Sequence, residues 1–174
     1  MPIKSPKNIK KIAYQGIAGA YSHAALNLHY PEATPLACKT FADALKAVTQ
    51  QKADAAFLPF ENSLAGAVTG MQTCLPSIKN LYICQNIWIP IQHALVSLGD
   101  DVSQVEKVYS HPQALAQCGD FIKNAGLQAQ EFIDTAAAAQ FVQQQNIKSI
   151  AAICSAAAAR VYGLNVLCDG IQNK

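Results

Sequence analysis

Short apolar runs alternate along the chain with segments whose apolar residues recur at helical spacing. That is the pattern of an α/β architecture with largely parallel sheets. Residues 9–14 read as a first strand, followed by the turn Gly16-Ile17-Ala18-Gly19 and a helix over 20–30 that Pro31 ends. A short strand at 34–38 leads to a helix over 40–50, where Phe41, Leu45 and Val48 fall at helical spacing and Thr40 is the N-cap. Residues 55–58 form a third buried strand, stopped by Pro59. In a β-α-β-α-β run of this kind, the strand ends and the turns after them are the ligand edge.

From residue 81 to 97 the pattern changes. The stretch LYICQNIWIPIQHALVS is too long for one ordinary strand and carries Pro90 in its middle, so it reads as two extended segments joined by a bend, a crossover between two lobes. Beyond it come a strand at 105–109, a helix from Pro112 to about 125 ended by Gly126, and an extended segment at 129–133. Thr135 then caps a helix to 145, a strand covers 150–153, a helix over 155–162 ends at Gly163, and 166–168 is a final strand. The alanine-rich helices, AAAAQF at 136–141 and SAAAARVYG at 155–163, imply close packing against a sheet. The expected organisation is two lobes with a cleft between them: 1–87 in the first, 88–164 in the second, and 165–174 returning to the first.

Composition narrows the function classes. Of 174 residues, 51% are hydrophobic and 14% charged, which excludes a disordered chain and suits one domain or two small lobes folding together. No run approaches the roughly 18 apolar residues of a membrane span. The opening MPIKSPKNIKK is basic, but a strand-like segment follows it rather than a signal-peptide apolar core, so a cytoplasmic protein is expected. The net charge is +2 and Arg160 is the sole arginine, so no basic stripe exists to follow a nucleic-acid backbone. The six cysteines lie ten or more residues apart, with no CxxC, CxxH or HxxxH pair to ligate a metal. They read as reduced, mostly buried thiols behaving as small hydrophobes.

Three polar turns sit at strand-to-helix junctions. The first is Gly16-x-x-Gly19-x-Tyr21-Ser22-His23, where glycines permit close backbone approach and a helix N-terminus can meet an anion. The second is Pro59-Phe60-Glu61-Asn62-Ser63, a carboxylate, an amide and a hydroxyl in series that can bind a polar ligand or serve as cap and loop polars. The third is Ser110-His111-Pro112-Gln113, with Gln117 one turn further on. Here Ser110 can cap the helix and His111 can titrate near neutrality. Asp134-Thr135 is a fourth turn of the same kind. His93, in an apolar extended segment, reads as a satisfied core histidine, and His29, near Pro31, as a surface one. Together the turns describe a site of helix N-termini, hydroxyls and amides, without metal or dinucleotide fingerprint, suited to a small carboxylate-bearing ligand.

The segments IAYQGIAGAYSHAA, LPFENSLAG, SHPQALAQC and AAICSAAAARVYGL, in this order and spacing, resemble the prephenate dehydratase domain, closest to the branch with the plant arogenate dehydratases. The resemblance implies a two-lobed fold like that of type II periplasmic binding proteins, with mostly parallel sheets and an interlobe active site. It implies conversion of prephenate to phenylpyruvate with loss of water and carbon dioxide in phenylalanine biosynthesis, with no cofactor. Carried over by motif, the site residues are Glu61, Asn62 and Ser63, then Ser110, His111 and Gln117, with Ser22 and Thr135 as substrate contacts.

The chain departs from the family pattern in two places. The family's frequent Gly-Glu after the crossover strand reads Cys84-Gln85 here. The family also continues into a Thr-Arg-Phe motif that supplies a proton donor and an arginine, and then into a small regulatory domain; this sequence ends at Gly170-Ile171-Gln172-Asn173-Lys174. The expectation from sequence is therefore an impaired dehydratase, each lost group costing about two to four orders of magnitude. The alternatives are an arogenate dehydratase and a non-catalytic binding module for prephenate or phenylalanine. A sheet edge left open by that ending would pair with a second copy, giving a homodimer.

Overall fold

The first apolar run becomes the centre of a small sheet. In the computed structural model, which describes residues 9–63, 66–74 and 80–173, β1 (Lys11–Gln15) lies between β2 (Thr34–Cys38) and β3 (Ala55–Ala56) and is parallel to both. Its side chains alternate between two cores, as the period of a strand requires. Ile12 and Tyr14 pack with Leu26 and Ala33, while Ala13 packs with Ala44, Ala47 and Ala53. Leu26 comes from α1 (Tyr21–His29); Ala44 and Ala47 come from α2 (Phe41–Thr49), which Thr40 caps through its hydroxyl to the Asp43 N–H at 3.0 Å. A two-residue antiparallel hairpin, β4 (Glu61–Asn62) with β5 (Gly66–Ala67), and the short α3 (Thr69–Cys74) follow.

A second sheet is built from five strands in the order β10-β6-β9-β7-β8. These are β6 (Ala94–Ser97), β7 (Lys107–Ser110), β8 (Gln128–Glu131), β9 (Ile150–Cys154) and β10 (Asn165–Asp169). β7 runs parallel to β8 and β9, whereas β6 is antiparallel to β9 and β10. The sheet is therefore mixed rather than uniformly parallel. Helices α4 (Pro112–Gln117), α5 (Gly119–Asn124), α6 (Thr135–Gln145) and α7 (Ala156–Tyr162) accompany it. β9 is buried along its whole length, and α6 lays the fully buried Ala136, Ala138, Ala139 and Val142 toward the core. Alanines permit that close helix–sheet approach because their side chains end at Cβ.

By contact the chain divides into two units. One contains the segments up to Ile17 and from Ser22 to Ile89; the other joins Ala18–Tyr21 to everything from Pro90 onward. Several expectations are corrected. Residues 165–169 do not return to the first unit, because β10 hydrogen-bonds to β6 in the five-stranded sheet. The helix expected from 112 to 125 is two short ones. Cys118 (φ −112°, ψ 16°) leaves helical geometry between them, its N–H shared among the Ala114, Leu115 and Ala116 carbonyls. The third strand shrinks to Ala55–Ala56, although the Phe57 N–H still reaches the Ala13 carbonyl at 2.8 Å. Residues 81–93 form no strand, and Tyr82, Ile83 and Trp88 stand in solvent. The cysteines are not mostly buried: Cys118 and Cys154 are, Cys38, Cys74 and Cys168 are partly covered, and Cys84 is exposed. His93 is 4% exposed and His29 lies at the surface.

Candidate functional site

Parallel pairing sets the geometry of the second unit. Because β7, β8 and β9 point the same way, the helices that follow them, α4, α6 and α7, all begin at one edge of the sheet. Ser110 pairs with Glu131 there, and the Phe132 N–H donates to the Ser110 carbonyl at 2.8 Å. Ser110 is fully buried, and its hydroxyl donates to the Ile153 carbonyl at 2.6 Å, tying the end of β7 to β9. That use takes the cap role away from Ser110. The cap of α4 is His111, whose Nδ1 accepts from the Gln113 N–H at 3.2 Å while the ring stays exposed. An Nδ1 that accepts leaves the proton of a neutral imidazole on Nε2. Pro112 at the first helical position costs no hydrogen bond, since that N–H has no helical acceptor.

Gln117 ends α4 half-buried, with Oε1 2.7 Å from His93 Nε2. On the other side of that ring, Tyr21 Oη lies 2.6 Å from Nδ1 and 3.0 Å from the Gln92 carbonyl, and the two rings meet edge-on. Burial drives the Tyr21 hydroxyl pKa far upward, with further upward pushes from Cys154 and Cys118, so it stays protonated. The segment 171–173 fixes the backbone behind this chain. The Ile171 N–H donates to the His93 carbonyl at 3.0 Å, the His93 N–H to Gln172 Oε1 at 3.0 Å, and the Asn173 N–H to the Gln117 carbonyl at 2.7 Å.

The other two junctions of this edge are also capped. Thr135 is the first residue of α6, not its cap. Asp134 Oδ1 takes the Ala136 and Ala137 N–H groups at 2.8 and 2.9 Å, an arrangement for which a carboxylate is well suited at a helix N-terminus. Ser155 caps α7 by accepting from the Ala158 N–H at 3.0 Å, and its hydroxyl donates to the Gly19 carbonyl at 2.9 Å. Gly19 (φ +88°) sits so close to α7 that a Cβ there would lie 2.9 Å from the Ala158 Cα. Tyr162 Oη donates to the Ala18 carbonyl at 2.8 Å. The first motif thus uses its glycine for backbone packing on α7. Cys118 and Cys154 both have thiol pKa values pushed up to about 12 by burial, Cys154 with a smaller push from Asp134. They are protonated near neutral pH and do not act as thiolate nucleophiles.

In the first unit Ser22 is half-buried in the opening turn of α1. His23 lies 5.2 Å from the Tyr14 ring, and burial lowers its pKa. Glu61 is exposed on β4, Asn62 is half-buried beside it, and Ser63 is exposed in the turn that follows. These three stand on the β4–β5 hairpin, closed by the Val68 N–H on the Phe60 carbonyl at 3.1 Å, rather than at the end of the third strand. The second unit therefore gathers Ser110, His111, Gln117 and Thr135 at one sheet edge, and the first gathers Glu61, Asn62 and Ser63 on one hairpin. The Tyr21–His93 contact behind Gln117 was not legible in sequence. The neighbouring signals were Tyr21 inside the first motif and a histidine in an otherwise apolar run.

The family model for prephenate dehydratase matches residues 12–174. Arogenate dehydratase 3, chloroplastic, of Arabidopsis thaliana is 43% identical over 166 residues, covering 94% of this chain and 39% of its own length. Among solved structures, GqqA, described as a novel type of quorum quenching acylase, superposes with a TM-score of 0.88 at 35% identity, covering 94% of this chain and 60% of that one. Prephenate dehydratase from Arthrobacter aurescens in complex with L-Phe gives 0.86 at 29% identity, covering 94% and 56%. The chain spans about two fifths of the length of the curated relatives it matches.

Proposed function

The chain belongs to the prephenate dehydratase family, and from that premise we propose that it binds prephenate or arogenate and carries residues of a dehydratase site. The observation that carries this reading is the β7–α4 junction. It sets an imidazole N–H at His111, at the start of α4, and a carboxamide at Gln117, the last residue of that short helix, at a sheet edge where α6 and α7 also begin.

The reaction asks little of a protein. The electron pair of the bond between the ring and its carboxylate moves into the ring as carbon dioxide leaves. The ring becomes aromatic and expels the C4 hydroxyl, which departs as water once it has taken a proton. Catalysis then consists of holding a dicarboxylate and supplying a donor at the leaving oxygen. In the proposed assignment His111 Nε2–H is that donor, the Gln117 amide and the Thr135 hydroxyl contact carboxylate, and Ser110 holds the junction by its bond to Ile153. Glu61, Asn62, Ser63 and Ser22 are the first unit's proposed substrate contacts. The two substrates differ in bearing a keto or an amino group on the side chain, and the Arabidopsis relative is named for arogenate.

Titration calorimetry with prephenate and with arogenate, together with phenylpyruvate or phenylalanine formation over an enzyme-free control, tests the reading. Saturable binding that falls at least tenfold in His111→Ala and in Gln117→Ala is expected. No binding of either compound by the folded chain overturns it. Binding without turnover selects the non-catalytic binding module, and preference for the amino substrate selects the arogenate enzyme. A homodimer is part of the proposal and is checked by light scattering. The cytoplasm is the proposed location, and the chloroplast of the Arabidopsis relative is the alternative.

A further inference from the structure

Three side chains make a line of hydrogen bonds in the second unit: Tyr21 Oη to His93 Nδ1 at 2.6 Å, and His93 Nε2 to Gln117 Oε1 at 2.7 Å. Counting protons along it leaves few arrangements. A carboxamide oxygen only accepts, so His93 Nε2 must carry a proton toward Gln117. The Nδ1 of a neutral ring is then an acceptor, and the Tyr21 hydroxyl supplies its one proton there. Of the hydroxyl's two possible acceptors, Nδ1 at 2.6 Å is nearer than the Gln92 carbonyl at 3.0 Å. The opposite arrangement sends the Tyr21 proton to Gln92, puts the histidine proton on Nδ1 and turns the Gln117 amide round, so that its N–H faces Nε2. The two differ in what Gln117 offers on its far side. In the first it shows N–H donors, and in the second a carbonyl oxygen.

We infer that Tyr21 and His93 are positioning residues that hold the Nε2–H tautomer and thereby turn the Gln117 N–H2 outward as a donor for a ligand carboxylate. The inference rests on the dehydratase reading for the identity of that ligand, and on the geometry alone for the orientation. An outward carbonyl would repel a dicarboxylate, so the orientation decides whether Gln117 helps or hinders binding. His93 is 4% exposed, and its backbone is held on both sides, by the Gln172 side chain and the Ile171 N–H. Buried and clamped, the ring keeps the partners the fold gives it, which is how a supporting shell fixes an amide in one of its two orientations. Raised by burial, the Tyr21 hydroxyl keeps its proton at working pH and so remains a donor.

The test is nitrogen-15 NMR of the whole chain, free of ligand, at mildly alkaline pH. The long-range imidazole correlations are expected to show His93 protonated on Nε2, with the Gln117 side-chain N–H2 exchanging readily with water. In Tyr21→Phe the ring signals are expected to move toward a mixture of tautomers, while the backbone amide spectrum stays that of the folded protein. An Nδ1–H tautomer in the wild type, or a protected Gln117 N–H2, overturns the inference; so does a folded Tyr21→Phe variant with unchanged His93 and Gln117 signals. Should that variant not fold, the wild-type tautomer decides the matter. Prephenate titration then adds a readout that a merely structural role would not move: Tyr21→Phe weakens binding about tenfold with its stability accounted for. Wild-type chain that shows the Nε2–H tautomer yet binds neither prephenate nor arogenate overturns the dehydratase reading and leaves the orientation of Gln117 standing.

Discussion

Asp54 shows how an exposed side chain can still couple to folding. Its carboxylate accepts the backbone N–H groups of Lys11 and Lys10 at 2.8 and 2.9 Å, and those bonds, the Lys11 one first, hold its pKa below the ordinary value of 3.8. A carboxyl depressed in the folded state contributes stability that is present above its unfolded pKa and is lost as pH falls through the folded one. Asp54→Asn is therefore expected to flatten the acid limb of a melting-temperature profile below about pH 4 and to leave the neutral region nearly level. An acid limb of unchanged slope would contradict the assignment. Gly19 makes the opposite kind of demand, on space and backbone together. With φ at +88° and Ala158 Cα 2.9 Å from where a Cβ would be, Gly19→Ala is expected to destabilise the fold by about 2–4 kcal/mol in denaturant melts. A loss below about 0.5 kcal/mol would show that α7 can move aside. That glycine was legible as a close-approach residue, but its partner was not, because Ala158 lies 139 positions away in the chain.

Helix starts are the informative features at the level of elements. The sequence reading placed caps at Thr40, Ser110 and Thr135; the structure keeps the first and moves the others by one position, to His111 and Asp134. The reason is physical. Ser and Asp are both cap residues by type, and a buried hydroxyl takes the acceptor that leaves no polar group unpaired, which for Ser110 is the Ile153 carbonyl on the neighbouring strand. Asp134 prevails over Thr135 because a carboxylate takes two N–H groups and opposes the positive end of the helix. Asp134→Ala is expected to cost about 1–2 kcal/mol in urea unfolding, with Thr135→Ala within about 0.5 kcal/mol of wild type. Equal losses would mean that Thr135 shares the cap. The split of the expected 112–125 helix falls at Cys118, directly before Gly119, a poor helix former that the sequence reading ran the helix through, while Leu115, Cys118 and Ile122 from the two pieces still share one core.

Order is not uniform across the whole molecule. The central strands of the five-stranded sheet, β6, β9 and β7, are paired on both sides, β6 and β9 buried throughout and β7 at Val108 and Ser110, whereas residues 81–93 join no sheet and expose Tyr82, Ile83 and Trp88. Hydrogen exchange is expected to be slowest in the strand centres at Leu95, Ala152 and Val108, and fastest in 81–92. Slow exchange across 81–92 would show a strand partner on that segment in solution. The sequence by itself determined the alternation of strand and helix, the polar turns that carry Glu61, Ser110, His111 and Gln117, and through four spaced motifs the family. These are short-range properties, set by side-chain period, capping chemistry and local backbone preference. Only the tertiary structure decided that β10 closes the second sheet beside β6, that Ser110 bonds across to Ile153, and that Tyr21 stands behind His93 and Gln117. Each of those pairs residues far apart in the chain, and which distant donor meets which acceptor is fixed by the packing of whole elements, where a buried polar group must find whatever partner the fold brings to it.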